Sequence, residues 1–350
     1  MQQQELARLQ AIGLTPITGQ ALAARAAELP GARIARLVAV HRETCVVHDG
    51  STTASVRVHA HLARVGLIVG DWVLVQPDAF GASWLVARAA PATQIVRRDA
   101  DGRRHGVVSN IDLAFVVMGL DGDFNPRRAE RFIALVAAAG VRSVVVLTKR
   151  DWAGEAVAED EADALRGRLQ VAVEAVNALD PATATRLQPY IRAGQTAVLL
   201  GSSGAGKSTL TNTLLGGAVQ DTGAVRAADD RGRHTTTHRA LFPLPGGGCV
   251  IDTPGLRALR PDLDAAALGA SFADIEALAA QCRFRDCRHQ GETGCAVRAG
   301  VAPDRLANWH KLGRELQRDA MTALDRQRQL AEWKARSRGA RQRIRIKRGN

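Results

Sequence analysis

The spacing of apolar residues changes along this 350-residue chain and divides it into segments. Residues 1–31 carry Ala, Leu and Gln at helical spacing, which predicts an N-terminal extension of helices. From residue 32 to residue 98, short apolar runs alternate with turn residues and predict five strands. Five strands in so short a segment indicate a closed barrel of the oligonucleotide/oligosaccharide-binding (OB) type. Such barrels often bind single-stranded nucleic acid through aromatic residues, for which Trp72 and Trp84 are the candidates. Burial of both rings in the core is the alternative.

A different pattern follows the barrel. Residues 93–107 are polar and basic, and we interpret them as a linker. Through the segment 99–262, buried strands alternate with amphipathic helices, which predicts a parallel, doubly wound α/β sheet with ligands at the carboxyl ends of its strands. Residues 263–335 predict helices, and residues 336–350 form a basic tail. The predicted fold is therefore multidomain, with an N-terminal OB-fold barrel, a central α/β domain and a C-terminal helical domain.

Residues 201–209 carry the strongest single motif. The sequence Gly-Ser-Ser-Gly-Ala-Gly-Lys-Ser-Thr follows an apolar run and precedes a helical pattern, which is the context of a phosphate-binding loop. Backbone N–H groups and the helix N-terminus of such a loop surround a polyphosphate. Lys207 would reach the β- and γ-phosphates, and the Ser208 hydroxyl would bind Mg²⁺. An ordinary Gly/Ser turn is the alternative. The expected phosphate contacts are Gly201, Ser202, Ser203, Gly204, Ala205, Gly206, Lys207, Ser208 and Thr209.

A second motif, Thr-Lys-Arg-Asp at 148–151, ends a predicted strand and has the [NT]-K-x-D form of the guanine-binding motif. The Asp151 carboxylate would accept two hydrogen bonds from guanine, while the stem of Lys149 would lie over the base. Adenine would leave that carboxylate poorly paired. Asn177 follows the next strand, where a short loop would contact the base through backbone N–H groups. The predicted base site therefore consists of Thr148, Lys149, Asp151 and Asn177. An ordinary loop at the end of a strand is the alternative.

Two further segments complete the predicted nucleotide site. The apolar strand that ends at Asp252-Thr-Pro-Gly255 has the D-x-x-G form: Asp252 would hold Mg²⁺ through water, and the Gly255 N–H would sense the γ-phosphate. In the preceding Gly-Arg-His-Thr-Thr-Thr-His segment, Thr236 is our candidate for a metal-binding hydroxyl. Each piece alone is also typical of an ordinary turn or surface loop. The base motif precedes the phosphate loop, which reverses the usual GTPase order, so the sequence predicts a circularly permuted domain.

Three of the five cysteines lie close to a histidine in the C-terminal segment. Cys282, Cys287, His289 and Cys295 supply three thiolates and one imidazole, a complete tetrahedral zinc set with no open position, so we expect one structural Zn²⁺. Free thiols or a redox role are the alternative. We expect Cys45 and Cys249, which lie in predicted strands, to be buried.

Charge is concentrated at one end of the chain. The net charge is +12, and eight of these charges come from residues 334–348, which contain no acidic residue. Such a tail suits a polyanion such as nucleic acid, and a disordered solubilising tail is the alternative. The N-terminus lacks the pattern of a secretory signal, and the longest apolar run, 132–141, is too short to span a membrane. We therefore expect a cytoplasmic protein with no membrane contact.

The permuted motif order, with a barrel before it and the Cys-x4-Cys-x-His-x5-Cys cluster after it, resembles the RsgA (YjeQ) family of ribosome small-subunit-dependent GTPases. The resemblance covers residues 32–320, and Thr148 departs from the commoner Asn. It implies a GTPase that binds the small ribosomal subunit and its rRNA late in maturation, checks the decoding region and leaves upon hydrolysis. GTP with Mg²⁺ would be its substrate, GDP its product, and we expect a monomer.

The position after the D-x-x-G motif is Leu256, where Ras-like proteins place a water-orienting Gln. Because Leu cannot orient water, unaided hydrolysis should be slow; even with that Gln the Ras rate is on the order of 10⁻⁴ s⁻¹. We therefore expect strong stimulation by the small subunit. His234 is our candidate to orient the water, and a surface histidine is the alternative. Two other classes compete: an RNA-binding zinc protein whose nucleotide domain only binds, and an ATP-dependent enzyme.

Overall fold

The computed structural model describes residues 3–41, 44–99, 102–218, 239–254 and 260–320. The chain forms two compact units, residues 1–262 and residues 263–350. Within the described ranges, no helix combines the length and the apolar character that a membrane span needs.

The first unit begins with two helices, α1 (Gln3–Ala11) and α2 (Pro16–Ala26). Thr15 caps α2, because its hydroxyl accepts a hydrogen bond from the Thr18 N–H. Leu9 and Leu22 are buried in the same apolar core as residues of the barrel and the central sheet. The N-terminal helices thus contribute to the main core of the first unit.

Five strands close into a barrel, as the sequence predicts. The strand order is β1-β2-β3-β5-β4, all neighbours being antiparallel except β3 and β5, and this is an OB-type arrangement. Leu37, Val73 and Leu85 fill its interior. Trp72 is buried, whereas Trp84 is partly exposed. The elements are β1 (Arg33–Val40), β2 (Thr44–His48), β3 (Thr53–Val58), α3 (Ala60–Ala63), β4 (Trp72–Pro77) and β5 (Ser83–Arg88).

The segment predicted to be a linker is instead a hairpin of β6 (Gln94–Arg98) and β7 (Arg104–Ser109). The linker prediction was wrong because four arginines mask a buried strand pattern. Ile95 and Val107 are completely buried, while the arginines lie toward the turn between the strands.

The central sheet has six strands in the order β10-β9-β8-β11-β13-β12. Every pair is parallel except β12 with β13, and the middle strands are apolar on both faces because helices cover the sheet. This confirms the doubly wound α/β prediction. The elements are β8 (Leu113–Gly119), α4 (Pro126–Ala137), β9 (Arg142–Thr148), α5 (Arg150–Ala153), α6 (Glu155–Leu169), β10 (Ala172–Ala175), α7 (Ala182–Leu187), β11 (Thr196–Leu200), α8 (Lys207–Leu215), β12 (Ala240–Pro243) and β13 (Cys249–Asp252). A short strand, β14 (Arg260–Pro261), then pairs with β6.

The second unit is helical. The chain is helical on both sides of Phe272, which itself leaves the helical region with φ −132° and ψ 42° and so separates two short helices. Phe272 is completely buried, and the Arg305 guanidinium lies 4.6 Å from its ring centroid while pairing with Asp274 at 2.6 Å. The helices are α9 (Ala265–Ser271), α10 (Ala273–Ala279), α11 (Ala296–Gly300) and α12 (Pro303–Ala320).

Candidate functional site

The predicted motifs meet at one edge of the central sheet. The base motif begins at the carboxyl end of β9, the phosphate loop follows β11, and Asp252 ends β13. These strands are parallel, and β8 lies between β9 and β11. Ligands of doubly wound sheets bind at this edge, so the topology puts the three motifs where one nucleotide could reach them.

The phosphate loop has a backbone that its glycines make possible. Gly204 and Gly206 have φ values of +80° and +86°, in the left-handed region that favours glycine. At Gly201 the reason is space: a Cβ there would lie 2.2 Å from the carbonyl oxygen of Val117. Helix α8 begins at Lys207, so the loop leads directly into a helix N-terminus.

Lys207 is held inside this loop. Its side chain is buried, and Nζ donates hydrogen bonds to the carbonyl oxygens of Ser202 at 2.7 Å and Gly201 at 3.2 Å. Burial lowers the pKa of Lys207 to about 8, and the negative charge of Asp252 opposes this shift. The ammonium is therefore positioned before any phosphate arrives, and its charge is sensitive to pH near neutrality.

Ser208 and Asp252 form a pair beside the loop. The Ser208 hydroxyl donates a 2.8 Å hydrogen bond to Oδ2 of Asp252, whose side chain is completely buried. The next residue fixes this strand end, since the Thr253 hydroxyl donates to the Leu199 carbonyl at 2.7 Å. A hydroxyl and a carboxylate oxygen are ligands that suit Mg²⁺, so this pair fits the expected metal.

The base motif is hydrogen-bonded to the phosphate loop. The Thr148 hydroxyl donates a 2.7 Å hydrogen bond to the carbonyl oxygen of Ala205, and both residues are buried. Lys149 adopts left-handed backbone angles, with φ +62°, which is uncommon for a residue with a side chain. Its ammonium pairs with Asp121 and lies 5.2 Å from the ring centroid of Trp152.

Asp151 and Asn177 line the same open cavity of about 400 Å³, together with Arg150 and Thr183. The Asp151 side chain is exposed. The loop after Asn177 is hydrogen-bonded to α8, the helix that follows the phosphate loop: the Thr213 hydroxyl donates to the Ala178 carbonyl at 2.5 Å. The cavity therefore has a carboxylate on one side and a fixed loop on the other.

Asp121 and Asp123 belong to the same edge and were not predicted. They follow β8, and Asp123 accepts a hydrogen bond from the Ser202 hydroxyl of the phosphate loop. The available signal is the sequence Asp-Gly-Asp directly after a buried strand. His234, Thr236 and Gly255, which the sequence assigns to this site, lie outside the described residues, as does Leu256.

The second unit contains the expected metal-ligand cluster. The donor atoms of Cys282, Cys287, His289 and Cys295 lie within 4.8 Å of one another. Sγ of Cys282 is 3.9 Å from Sγ of Cys295 and 3.7 Å from Nδ1 of His289. Zinc–sulfur bonds of about 2.3 Å at tetrahedral angles put two sulfurs about 3.8 Å apart, so the donor set fits one tetrahedral ion. Cys45 and Cys249 are buried in strands, as expected.

Comparisons with known proteins point to one family. The model of the RsgA GTPase family matches residues 89–261. A protein of Xanthomonas campestris pv. campestris (strain B100), named small ribosomal subunit biogenesis GTPase RsgA, is 46% identical over 303 residues, which cover 81% of this chain and 80% of that protein. A protein of the same name from Xanthomonas axonopodis pv. citri (strain 306) is 45% identical over 331 residues, 88% of each chain.

Two solved structures share the fold. YjeQ from Thermotoga maritima has a TM-score of 0.59 at 22% identity, over 82% of this chain and 99% of that one. YloQ, described as a circularly permuted GTPase, has a TM-score of 0.57 at 20% identity, over 83% of this chain and 97% of that one. The circular permutation predicted from the motif order is thereby confirmed.

Proposed function

Because this chain belongs to the RsgA GTPase family, we propose that it hydrolyses GTP to GDP and phosphate while bound to the small ribosomal subunit, late in the maturation of that subunit. The single observation that carries this proposal is the 46% identity, over most of the chain, to a protein named small ribosomal subunit biogenesis GTPase. The meeting of three nucleotide-binding motifs at one sheet edge supports it.

In this proposal residues 201–209 bind the phosphates, and Lys207 neutralises charge on the β- and γ-phosphates. Thr148, Lys149, Asp151 and Asn177 bind guanine, for which the shared cavity of Asp151 and Asn177 is the support. Ser208 and Asp252 would hold Mg²⁺, which supplies positive charge that polarises the phosphates. Gly255 and Thr236 would contact the γ-phosphate and the metal.

We expect stimulation by the ribosomal subunit because this chain has no Gln after its D-x-x-G motif. Leu256 stands where Ras-like proteins place the Gln that orients water, so the site needs help to reach full activity. His234 is the proposed residue that orients water when the subunit is bound. A His234→Ala variant whose subunit-stimulated turnover equals that of the unmodified chain removes this histidine from the mechanism.

We also propose that the metal of the second unit is zinc and that it is structural. All four donors come from the protein, so no position is left for a substrate, and three thiolates favour zinc over harder ions.

The five-part division predicted from the sequence, with limits at residues 31, 98, 262 and 335, is retained as part of this proposal.

The proposed partner is the small subunit with its rRNA. A net charge of +12 and a barrel of OB type are both typical of proteins that bind nucleic acid. On the barrel, Phe80 is 95% exposed and Trp84 is partly exposed, so both rings are available for stacking on unpaired bases. We further propose that the protein is a cytoplasmic monomer.

The main experiment is GTP hydrolysis measured with purified small subunits, with large subunits and with neither, and a comparison of nucleotide affinities complements it. We expect stimulation by small subunits alone. Equal turnover in all three conditions would instead favour an RNA-binding zinc protein that uses nucleotide only as a ligand. Comparable affinity for ATP and GTP, together with no loss of GTP affinity in Asp151→Asn, would favour the ATP-dependent enzyme.

A further inference from the structure

The loop after β8, residues 120–125, lies between the two halves of the nucleotide site and is called here the aspartate loop. It follows a strand flanked by β9, which leads to the base motif, and by β11, which leads to the phosphate loop. Its backbone is joined to the base motif, because the Leu120 N–H donates to the Thr148 carbonyl at 2.9 Å.

The two carboxylates of the aspartate loop point to different halves of the site. Asp121 pairs with the Lys149 ammonium, and their side chains are 24% and 15% exposed, so the pair is largely shielded from water. Asp123 accepts a hydrogen bond from the hydroxyl of Ser202, which is only 5% exposed. Arg128 of α4 also pairs with Asp123, at 2.5 Å, and fixes that carboxylate from the helix side.

The loop itself is ordered by short-range bonds. Oδ1 of Asp121 accepts a 3.0 Å hydrogen bond from the Asp123 N–H, which closes a turn that sets the spacing of the two carboxylates. The Asn125 side chain then caps α4 by accepting from the Arg127 N–H at 3.1 Å. The carboxylates are thus carried by a turn fixed at both ends.

We infer that Asp121 and Asp123 are positioning residues that fix Lys149 and Ser202 before the nucleotide binds. Lys149 would otherwise lose the rotational freedom of a long side chain when its stem packs on guanine. Ser202 carries the carbonyl that holds Lys207, so Asp123 acts on the phosphate side through the loop backbone. Neither aspartate touches the nucleotide in this account, which rests on the proposed guanine-nucleotide site.

The test is the affinity of the full-length chain for a fluorescent GDP analogue, measured in double-mutant cycles. Asp121→Asn keeps the acceptor for the Asp123 N–H and removes the charge. It is expected to weaken GDP binding about fivefold to tenfold, the effect of freeing one long side chain at a binding site. In a Lys149→Met background the same change should have less than about a twofold effect, because the ammonium is gone. A parallel cycle combines Asp123→Asn with Ser202→Ala. There too, the effect of the aspartate change on GDP affinity should be smaller when its partner is removed.

Base analogues separate an effect through Lys149 from an effect through the Asp151 carboxylate, and the melting temperature of each variant shows whether it is folded. Inosine diphosphate keeps the ring on which Lys149 packs and lacks the exocyclic amine that Asp151 would bind. Asp121→Asn should therefore lower the affinity for GDP and for inosine diphosphate by the same factor. Asp151→Asn should lower the affinity for GDP more than the affinity for inosine diphosphate. Asp163→Asn is the matched control, because Asp163 is exposed and pairs only with Arg166 of its own helix among the bonds described. If Asp121→Asn lowers the melting temperature, Asp121→Ser, which also keeps a turn acceptor, replaces it.

Two results would overturn the inference: GDP affinity in Asp121→Asn within twofold of the unmodified chain, or an equal loss with and without the Lys149 ammonium. Either would leave the proposed function standing, provided that the unmodified chain binds GDP. An unmodified chain that does not bind GDP would refute both.

Discussion

The hydroxyl of Thr148 donates a 2.7 Å hydrogen bond to the carbonyl oxygen of Ala205, so the base motif and the phosphate loop share a buried contact. The [NT]-K-x-D motif allows Asn or Thr at its first position, and in this chain the Thr hydroxyl makes the link. The contact is between residues 57 positions apart in sequence, and it joins the ends of β9 and β11 across β8.

This contact predicts the effect of an isosteric change. Thr148→Val keeps the volume and leaves the Ala205 carbonyl without its donor, which costs about 1–3 kcal/mol. We expect lower affinity for GDP and GTP alike. We also expect a lower melting temperature on heating and a lower midpoint concentration in urea denaturation. Thr148→Ser, which retains the hydroxyl, is the control. Equal stability of the Val and Ser variants would show that the hydrogen bond does not matter.

Lys207 predicts a pH dependence of nucleotide affinity. Burial lowers its pKa to about 8 in the free protein, and phosphates raise the pKa in the complex because they favour the ammonium. Binding therefore takes up a proton above the free pKa: affinity is full below pH 8 and falls as pH rises through 8, by about tenfold between pH 7 and pH 9.

The control for this prediction is Lys207→Arg, because a guanidinium stays charged over the whole range. Its GDP affinity, measured by equilibrium titration, is expected to be lower and nearly independent of pH between about 7 and 9. The same pH dependence in the variant and in the unmodified chain would assign the titration to another group.

Removal of the metal should unfold the second unit alone. A structural zinc supplies roughly 10–16 kcal/mol of apparent binding free energy. The second unit is small, and its most deeply buried apolar side chains in the described part include Phe272, Ile275, Val297 and Leu312. With a strong chelator, amide hydrogen exchange should accelerate throughout α10 to α12 while β8 and β11 remain protected. Retained protection of these helices in the metal-free protein would contradict a structural role.

The barrel turn offers a test of RNA contact. Asp78 fixes this turn by accepting hydrogen bonds from the Phe80 and Ala82 N–H groups and from the Trp84 indole, at 2.8–2.9 Å. Phe80 is nevertheless 95% exposed, so its removal should not affect folding. Phe80→Ala should weaken binding to small subunits about fivefold or more, the value of one stacked base, with an unchanged melting temperature. Ile17→Ala, at an apolar residue of α2 that is 82% exposed, is the control.

The sequence was informative where chemistry or periodicity is local. The strand and helix that flank residues 201–206 and the Cys-His cluster each depend on a short stretch of sequence. The structure has a strand that ends at Leu200, a helix that begins at Lys207, and the four predicted donor residues close together. The hairpin of β6 and β7 was missed because Arg97 and Arg98 interrupt its apolar pattern, although Ile95 is fully buried. The aspartate loop was missed because its partners, Lys149 and Ser202, are far away in sequence and become neighbours only through strand order.

Arg36 shows how the N-terminal helices are joined to the rest of the first unit. Its guanidinium is completely buried and donates to the Ile12 carbonyl after α1, to the Asn110 carbonyl at 2.7 Å and to the Thr196 hydroxyl at 2.7 Å, where β11 begins. It also lies 5.3 Å from the ring centroid of Trp72. One side chain of the barrel therefore connects the N-terminal segment to the strand that carries the phosphate loop.

Arg36→Met should destabilise the first unit by about 3–5 kcal/mol, because the neutral side chain fills the space but leaves four acceptors, counting the Gly70 carbonyl, without their donor. The free energy of unfolding, from chemical denaturation, measures this effect. Arg33→Met is the matched control, since Arg33 is exposed on the same strand and should change stability by less than about 0.5 kcal/mol. If both variants lose equal stability, the cause is the altered strand sequence; if only Arg36→Met does, the buried hydrogen bonds of its guanidinium stabilise the first unit.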